Sequence, residues 1–134
     1  MAVLVDTNVL LDIVTHDPVW EKWSLSAFQA EAAVAPLVIN QVICAELSPA
    51  FQHDWPSMDR WLPAGVFVRE PLPFECSVLA AHAFENYKKR GGVKQALLAD
   101  FFIGAHAACA GHTLLTRDPQ RYRTYFPSVP LIGP

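Results

Sequence analysis

The sequence predicts an α/β domain around a mostly parallel sheet of about five strands. Three observations carry this. Short apolar runs rich in Val, Leu and Ile recur without a polar face, as strands buried on both sides do. Helical stretches alternate with them, the pattern of helices packed on a parallel sheet. With 134 residues, no repeat and no linker, the chain suits one core rather than two marginal ones.

The first strand is expected at residues 2–5, ended by Asp6-Thr7-Asn8, with a helix over 9–14. Asp17-Pro18 reads as an N-cap followed by proline at the first helical position and should launch a helix over 19–32. Residues 37–39 form a second strand, and Asn40 caps a helix through Leu47 that Pro49 stops. A short helix at 55–62 and a third strand at 65–68 follow. Residues 73–90 make an amphipathic helix closed by Gly91-Gly92. Residues 96–110 are almost wholly apolar, a helix buried on most sides. Strands at 113–116 and 129–132 complete the sheet.

Composition excludes several classes. At 52% hydrophobic and 17% charged residues, the chain is neither a disordered tail nor a basic nucleic-acid-binding peptide. The net charge of −3 hides an asymmetry. Residues 1–87 carry three basic and eleven acidic groups, whereas residues 88–134 carry seven basic and two acidic ones. A basic segment on an acidic protein can still meet a polyanion locally. Cys44, Cys76 and Cys109 cannot all pair internally, and each sits among apolar residues as reduced core cysteines do. Asp6, Asn8 and Asp12 interrupt the apolar start and no basic segment precedes it, so neither a signal peptide nor a membrane helix is expected, and a cytoplasmic location is.

Four carboxylates occupy awkward places. Asp6 ends the first strand, Glu46 and Asp100 lie on apolar helices, and Asp118 follows the fourth strand. An ionised carboxylate in apolar surroundings costs several kcal/mol, which a divalent cation can offset. In open parallel sheets ligands bind beyond the carboxyl ends of the strands, where Asp6 and Asp118 fall. Asp100 shares a stripe with the small residues Gly104, Ala107 and Gly111, so that face can approach the sheet closely. All-oxygen ligation suits Mg²⁺ or Mn²⁺, one or two ions, able to activate water against a phosphodiester. Each residue has a plainer reading as well. Asp118-Pro119 and Asp6-Thr7-Asn8 both read as helix caps, and Glu46 as a solvated helix residue.

Val3-Leu4-Val5-Asp6-Thr7-Asn8-Val9-Leu10, Asn40 through Glu46, Asp100-Phe101-Phe102-Ile103-Gly104-Ala105-His106-Ala107 and Leu114-Leu115-Thr116-Arg117-Asp118 together resemble the PIN-domain family, and within it the VapC-type toxins of bacterial toxin–antitoxin pairs. The resemblance implies a three-layer α/β/α sandwich and a metal-dependent endoribonuclease, commonly dimeric and silenced by a cognate VapB-like antitoxin. By residue matching, Asp6 and Asp100 become the principal metal ligands and Glu46 and Asp118 complete the acidic site. Thr116 would orient a carboxylate through its hydroxyl, and Asn8 could do likewise. His106 is compatible with the motif and receives no role.

RNA must approach this negative site, and Arg117, Arg121 and Arg123 are the expected RNA-binding residues, with Lys88, Lys89, Arg90 and Lys94 as further cations. Tyr122, Tyr125 and Phe126 could stack bases or simply pack. Trp20, Trp23, Trp55 and Trp61 flank Glu46 and could line an apolar groove for an antitoxin helix, or fill the core. Three rivals remain. A phosphatase with Asp6 as nucleophile wants a second acid where Asn8 stands. A receiver-like signalling domain wants an adjacent acidic pair near the first strand and a lysine where Arg117 follows the late strand. A catalytically inactive PIN-like scaffold binding RNA or protein fits less well with an intact acidic set.

Overall fold

A computed structural model describes residues 2–91 and 98–134. The elements run β1 (Val3–Val5), α1 (Thr7–Val14), α2 (Glu21–Ala32), β2 (Leu37–Ile39), α3 (Gln41–Leu47), a 3₁₀ turn (Ser48–Phe51), α4 (Trp55–Trp61), β3 (Phe67–Arg69), α5 (Cys76–Lys89), α6 (Leu98–Ala110), β4 (Thr113–Leu115), α7 (Pro119–Tyr125) and β5 (Leu131–Ile132). The five strands are all parallel, in the order β3-β2-β1-β4-β5. Parallel pairing needs crossovers, and the helices supply them.

The chain winds outward from β1 to β2 and β3, then returns to the other side of β1 with β4 and β5. The direction of winding therefore reverses between β1 and β4, which opens a crevice at their carboxyl ends. The core lies against both faces of the sheet. Leu4, Val5, Leu37, Ile39, Leu114 and Leu115 are buried from the strands, Val9, Leu10, Ile43 and Leu47 from α1 and α3, and Phe101 and Ile103 from α6.

Several boundaries move, each for a local reason. The first helix begins at Thr7 rather than residue 9, because Asp6 itself takes the N-cap backbone position. Asp17 does cap a turn, with Oδ1 accepting from Val19 and Trp20 at 2.9 and 2.8 Å, yet regular helix starts only at Glu21. β3 lies at Phe67–Arg69, two residues beyond the expected start, since Leu37 N–H bonds to Val66 O and sets the register. The third helix ends at Leu47 as expected, and Pro49 sits in the 3₁₀ turn that follows. α5 starts at Cys76, leaving Phe74 93% exposed. The expected start of the following helix, at residues 96–97, lies outside the described residues.

The cysteines do not share one environment as expected. Cys76 is buried, Cys44 half-buried and Cys109 exposed, and all three are free thiols. The tryptophans divide as well: Trp23 and Trp61 pack against the core. Trp20, Trp23 and Trp61 are half-buried, and Trp55 stands 52% exposed beneath the Arg69 guanidinium. No helix among the described residues is long and apolar enough to cross a membrane.

Candidate metal centre

Asp6 sits where β1 ends at the crevice. Its backbone N–H bonds to Leu115 O at 2.8 Å, which ties it to the end of β4. Although it occupies the N-cap of α1, its side chain makes no capping bond. Oδ2 instead accepts from the Thr116 hydroxyl at 2.8 Å and the Tyr122 hydroxyl at 2.9 Å. The cap reading of Asp6-Thr7-Asn8 therefore fails for the carboxylate. Asp118 behaves alike: it precedes Pro119 at the N-cap of α7 without a side-chain capping bond.

Thr116 organises this corner. Its Oγ1 donates to Asp6 and accepts from Asp118 N–H at 3.0 Å and from Asn8 Nδ2 at 3.4 Å. One hydroxyl hydrogen and two lone pairs are then all used, so the hydrogen has no choice but Asp6. Asn8 also accepts from Arg117 N–H through Oδ1 at 3.3 Å.

Asp6, Glu46, Asp100 and Asp118 line one cavity of about 140 Å³, together with Thr7, Asn8, Leu11, Arg121 and Tyr122. Glu46 arrives from α3 and is held by the Thr7 hydroxyl, which donates to Oε1 at 2.7 Å. Asp100 arrives from the first turn of α6, with Arg121 Nη1 at 3.4 Å from Oδ2. Burial pushes Asp6 up to about 6 from an ordinary 3.8, against the downward pull of its bonds from Thr116 and Tyr122, and the charges of Asp100 and Glu46 push the same way. Burial also raises Glu46, opposed by its bond from Thr7 and reinforced by Asp100. A group of hard oxygen donors that resists its own negative charge fits a divalent cation of the Mg²⁺ or Mn²⁺ type.

The basic residues fare differently. Arg117 turns away from the cavity and forms a two-pronged ion pair with Asp12, Nε to Oδ2 at 2.8 Å and Nη2 to Oδ1 at 3.1 Å. Ser24 donates to the same carboxylate at 2.7 Å, and the guanidinium lies 5.6 Å from the Trp20 ring centre. Arg121 reaches the cavity, whereas Arg123 is exposed on the surface of α7. Lys88 lies over the Phe84 ring, Arg90 over Tyr125, and Lys89 pairs with Glu85. Lys94 is outside the described residues. Tyr122 and Phe126 are buried, which removes them as base-stacking surfaces; Tyr125 packs edge-on against Phe101 and Tyr87.

Of the two expectations for Tyr122, packing holds and base stacking does not, and the bond it makes to Asp6 was not expected; nor were the parts played by Thr7 and Asp12. Tyr122 follows Asp118 by one helical turn, a spacing that signals a shared face, but only the packing of α7 onto the end of β1 turns its hydroxyl to Asp6. Elsewhere, Glu70, His106 and His112 bring their ligand atoms within 4.8 Å of one another, the only such group of three among the described residues.

The PIN domain model matches residues 3–127, and the chain belongs to the PIN domain family. Solved structures agree in fold at low identity. The VapBC2 structure from Rickettsia felis, bound to a DNA fragment from its promoter, has a TM-score of 0.74 and 16% identity, covering 99% of this chain and 98% of that one. DNA-bound VapBC from Salmonella typhimurium gives 0.72 at 12% identity, covering 99% and 98%. FitAcB from Neisseria gonorrhoeae gives 0.65 at 19% identity, covering 97% and 96%. No curated protein matches the chain in sequence.

Proposed function

We propose that the protein is a metal-dependent endoribonuclease, the toxin of a VapBC-type toxin–antitoxin module, which hydrolyses RNA phosphodiester bonds and is held inactive by a cognate antitoxin. The carrying observation is the meeting of Asp6, Glu46, Asp100 and Asp118, from four separate elements, around one small cavity at the switch point of the sheet. PIN domains are in general nucleases, and solved structures that share this fold include VapBC complexes, which supports an antitoxin partner.

Asp6 and Asp100 would be the principal ligands of one or two Mg²⁺ or Mn²⁺ ions, with Glu46 and Asp118 completing the set. An ion held there would supply an activated water and charge stabilisation on the phosphate. Thr116 and Tyr122 hold the Asp6 carboxylate in one orientation, and Thr7 does the same for Glu46. Arg121 lies at the cavity and Arg123 nearby on α7, in position to meet the RNA backbone. We assign Arg117 a supporting part in this surface, since its guanidinium is already committed to Asp12. The protein would act in the cytoplasm, where its RNA is, as a homodimer; Phe74 and Val78, exposed one turn apart, are apolar surface available to a second copy.

Labelled RNA incubated with Mg²⁺ or Mn²⁺ tests this. Wild type should cleave, and Asp6→Ala and Asp100→Asn should abolish cleavage while circular dichroism shows a retained fold. Undiminished cleavage in both variants would overturn the assignment. RNA binding by wild type without cleavage would favour an inert scaffold.

A further inference from the structure

Beyond the acidic cavity, a second polar network is buried between α3 and α6. Asn40 and His106 are 3% and 0% exposed. Asn40 caps α3: its Oδ1 accepts from Ile43 N–H at 3.0 Å. The same amide faces His106, with Nδ2 2.9 Å from the ring Nδ1. On the other side of the ring, His106 Nε2 is 2.8 Å from Glu70 Oε1, and His112 Nε2 reaches that oxygen at 2.8 Å as well.

The cap fixes the direction of every bond. Only the carbonyl end of an amide accepts, and here it is committed to Ile43 N–H. Asn40 therefore presents its NH₂ to the ring, and His106 Nδ1 must accept. The ring proton then sits on Nε2 and is donated to Glu70. This order also removes His106 from any cation site with Glu70 and His112, although their ligand atoms are suitably close. A metal on Nε2 requires a proton on Nδ1, which would point at the Asn40 NH₂.

We propose that His106 is a positioning residue for the acidic site: locked as the Nε2–H tautomer, it fixes α3, which carries Glu46, against α6, which carries Asp100. The inference rests on the reading of the acidic cavity as a metal site. Glu70 anchors the ring from the end of β3, where its own N–H bonds to Ile39 O at 2.9 Å. The strut therefore spans the ends of β2 and β3 as well as two helices.

Nitrogen-15 NMR of histidine-labelled protein reads the tautomer directly. Wild type should show an unprotonated Nδ1 and a protonated Nε2 for His106. Asn40→Asp keeps the cap acceptor but removes the donor, so Nδ1 should acquire a proton. Calorimetric Mn²⁺ titration reads the positioning. His106→Leu should weaken Mn²⁺ binding by about 10-fold. His106→Gln should stay within about twofold, because its amide offers one acceptor and one donor at similar spacing. A protonated Nδ1 in wild type, or Zn²⁺ bound at Glu70 and His106, would overturn the lock. Equal Mn²⁺ affinity in the Leu and Gln variants would overturn the positioning role. Should His106→Leu fail to fold, Asn40→Asp carries the same comparison, with weakened Mn²⁺ binding expected. Wild type that binds no Mn²⁺ defeats the metal-site reading and the positioning role with it, while the tautomer stands or falls on the NMR result alone.

Discussion

Tyr122 donates its phenolic hydrogen to Oδ2 of Asp6 at 2.9 Å, joining residues 116 positions apart. With the Thr116 hydroxyl on the same oxygen, the contact holds the carboxylate in one orientation at the cavity wall. A buried hydroxyl with a charged acceptor contributes more than a neutral pair. Its removal gives a clean prediction. Tyr122→Phe should destabilise the metal-free protein by about 1–3 kcal/mol at pH 7.5, where Asp6 is ionised. The loss should shrink near pH 4.5, where Asp6 is protonated. Urea unfolding at the two pH values measures both.

The raised Asp6 makes the acidic site a liability in the apo protein. Its carboxyl titrates at 3.8 when unfolded and about 6 when folded. The folded state therefore holds the proton more tightly. The stabilisation is complete below pH 3.8 and is lost as pH rises through about 6, an interval worth roughly 3 kcal/mol. Asp6→Asn should remove this dependence and melt higher than wild type at pH 7.5. Saturating Mn²⁺ should reverse the order, since an ion at about 1,000 times its Kd adds about 4.1 kcal/mol to wild type alone, more than that penalty. Thermal melts with and without Mn²⁺ decide it. An Asp6→Asn variant that melts lower than apo wild type would mark Asp6 as a structural, hydrogen-bonded residue.

Arg117 and Asp12 form the other test of role. Asp12 is 2% exposed, and its charge is balanced by the Arg117 fork and a bond from Ser24. Arg117→Ala leaves that carboxylate buried without a counter-charge and should cost about 3 kcal/mol. Asp12→Asn in the same chain should recover part of the loss. Urea unfolding of the single and double variants measures the coupling; a fully stable Arg117→Ala would show that Asp12 does not depend on this arginine.

Gly104 lies on the small-residue stripe of α6. A Cβ there would fall 2.4 Å from two ring carbons of the buried Phe126. Gly104→Ala should therefore destabilise by about 1–3 kcal/mol despite the better helix propensity of alanine. Combining it with Phe126→Leu should relieve part of the strain. Melting temperatures of the three variants give the answer.

The parallel sheet and the burial of α6 were legible because they follow from local pattern. The runs at Val3–Val5, Leu37–Ile39 and Thr113–Leu115 have no wet face, and Phe101 through Ala107 has almost none. The four acids stood out as a set because each ends a strand or interrupts an apolar helix. Helix starts were less legible, since Asp6 and Asp118 look like caps in sequence, yet Asp6 takes the Thr116 and Tyr122 hydroxyls instead and Asp118 lines the cavity without a capping bond. Cys109 looked like core because its neighbours along the chain are apolar, yet it falls on the outer face of α6.

Local pattern along the chain was enough for the alternation of strands and helices, the family, and the four acids that stand out. Tertiary structure alone decided their company: that Tyr122 serves Asp6 rather than a base, that Arg117 answers Asp12 rather than solvent, and that His106 is held between Asn40 and Glu70. Burial and helix formation depend on residues a few positions apart, so a linear pattern records them. A side chain's partner depends on which strand ends are brought together, and a chain folded with a reversal between β1 and β4 brings together residues that no local spacing relates.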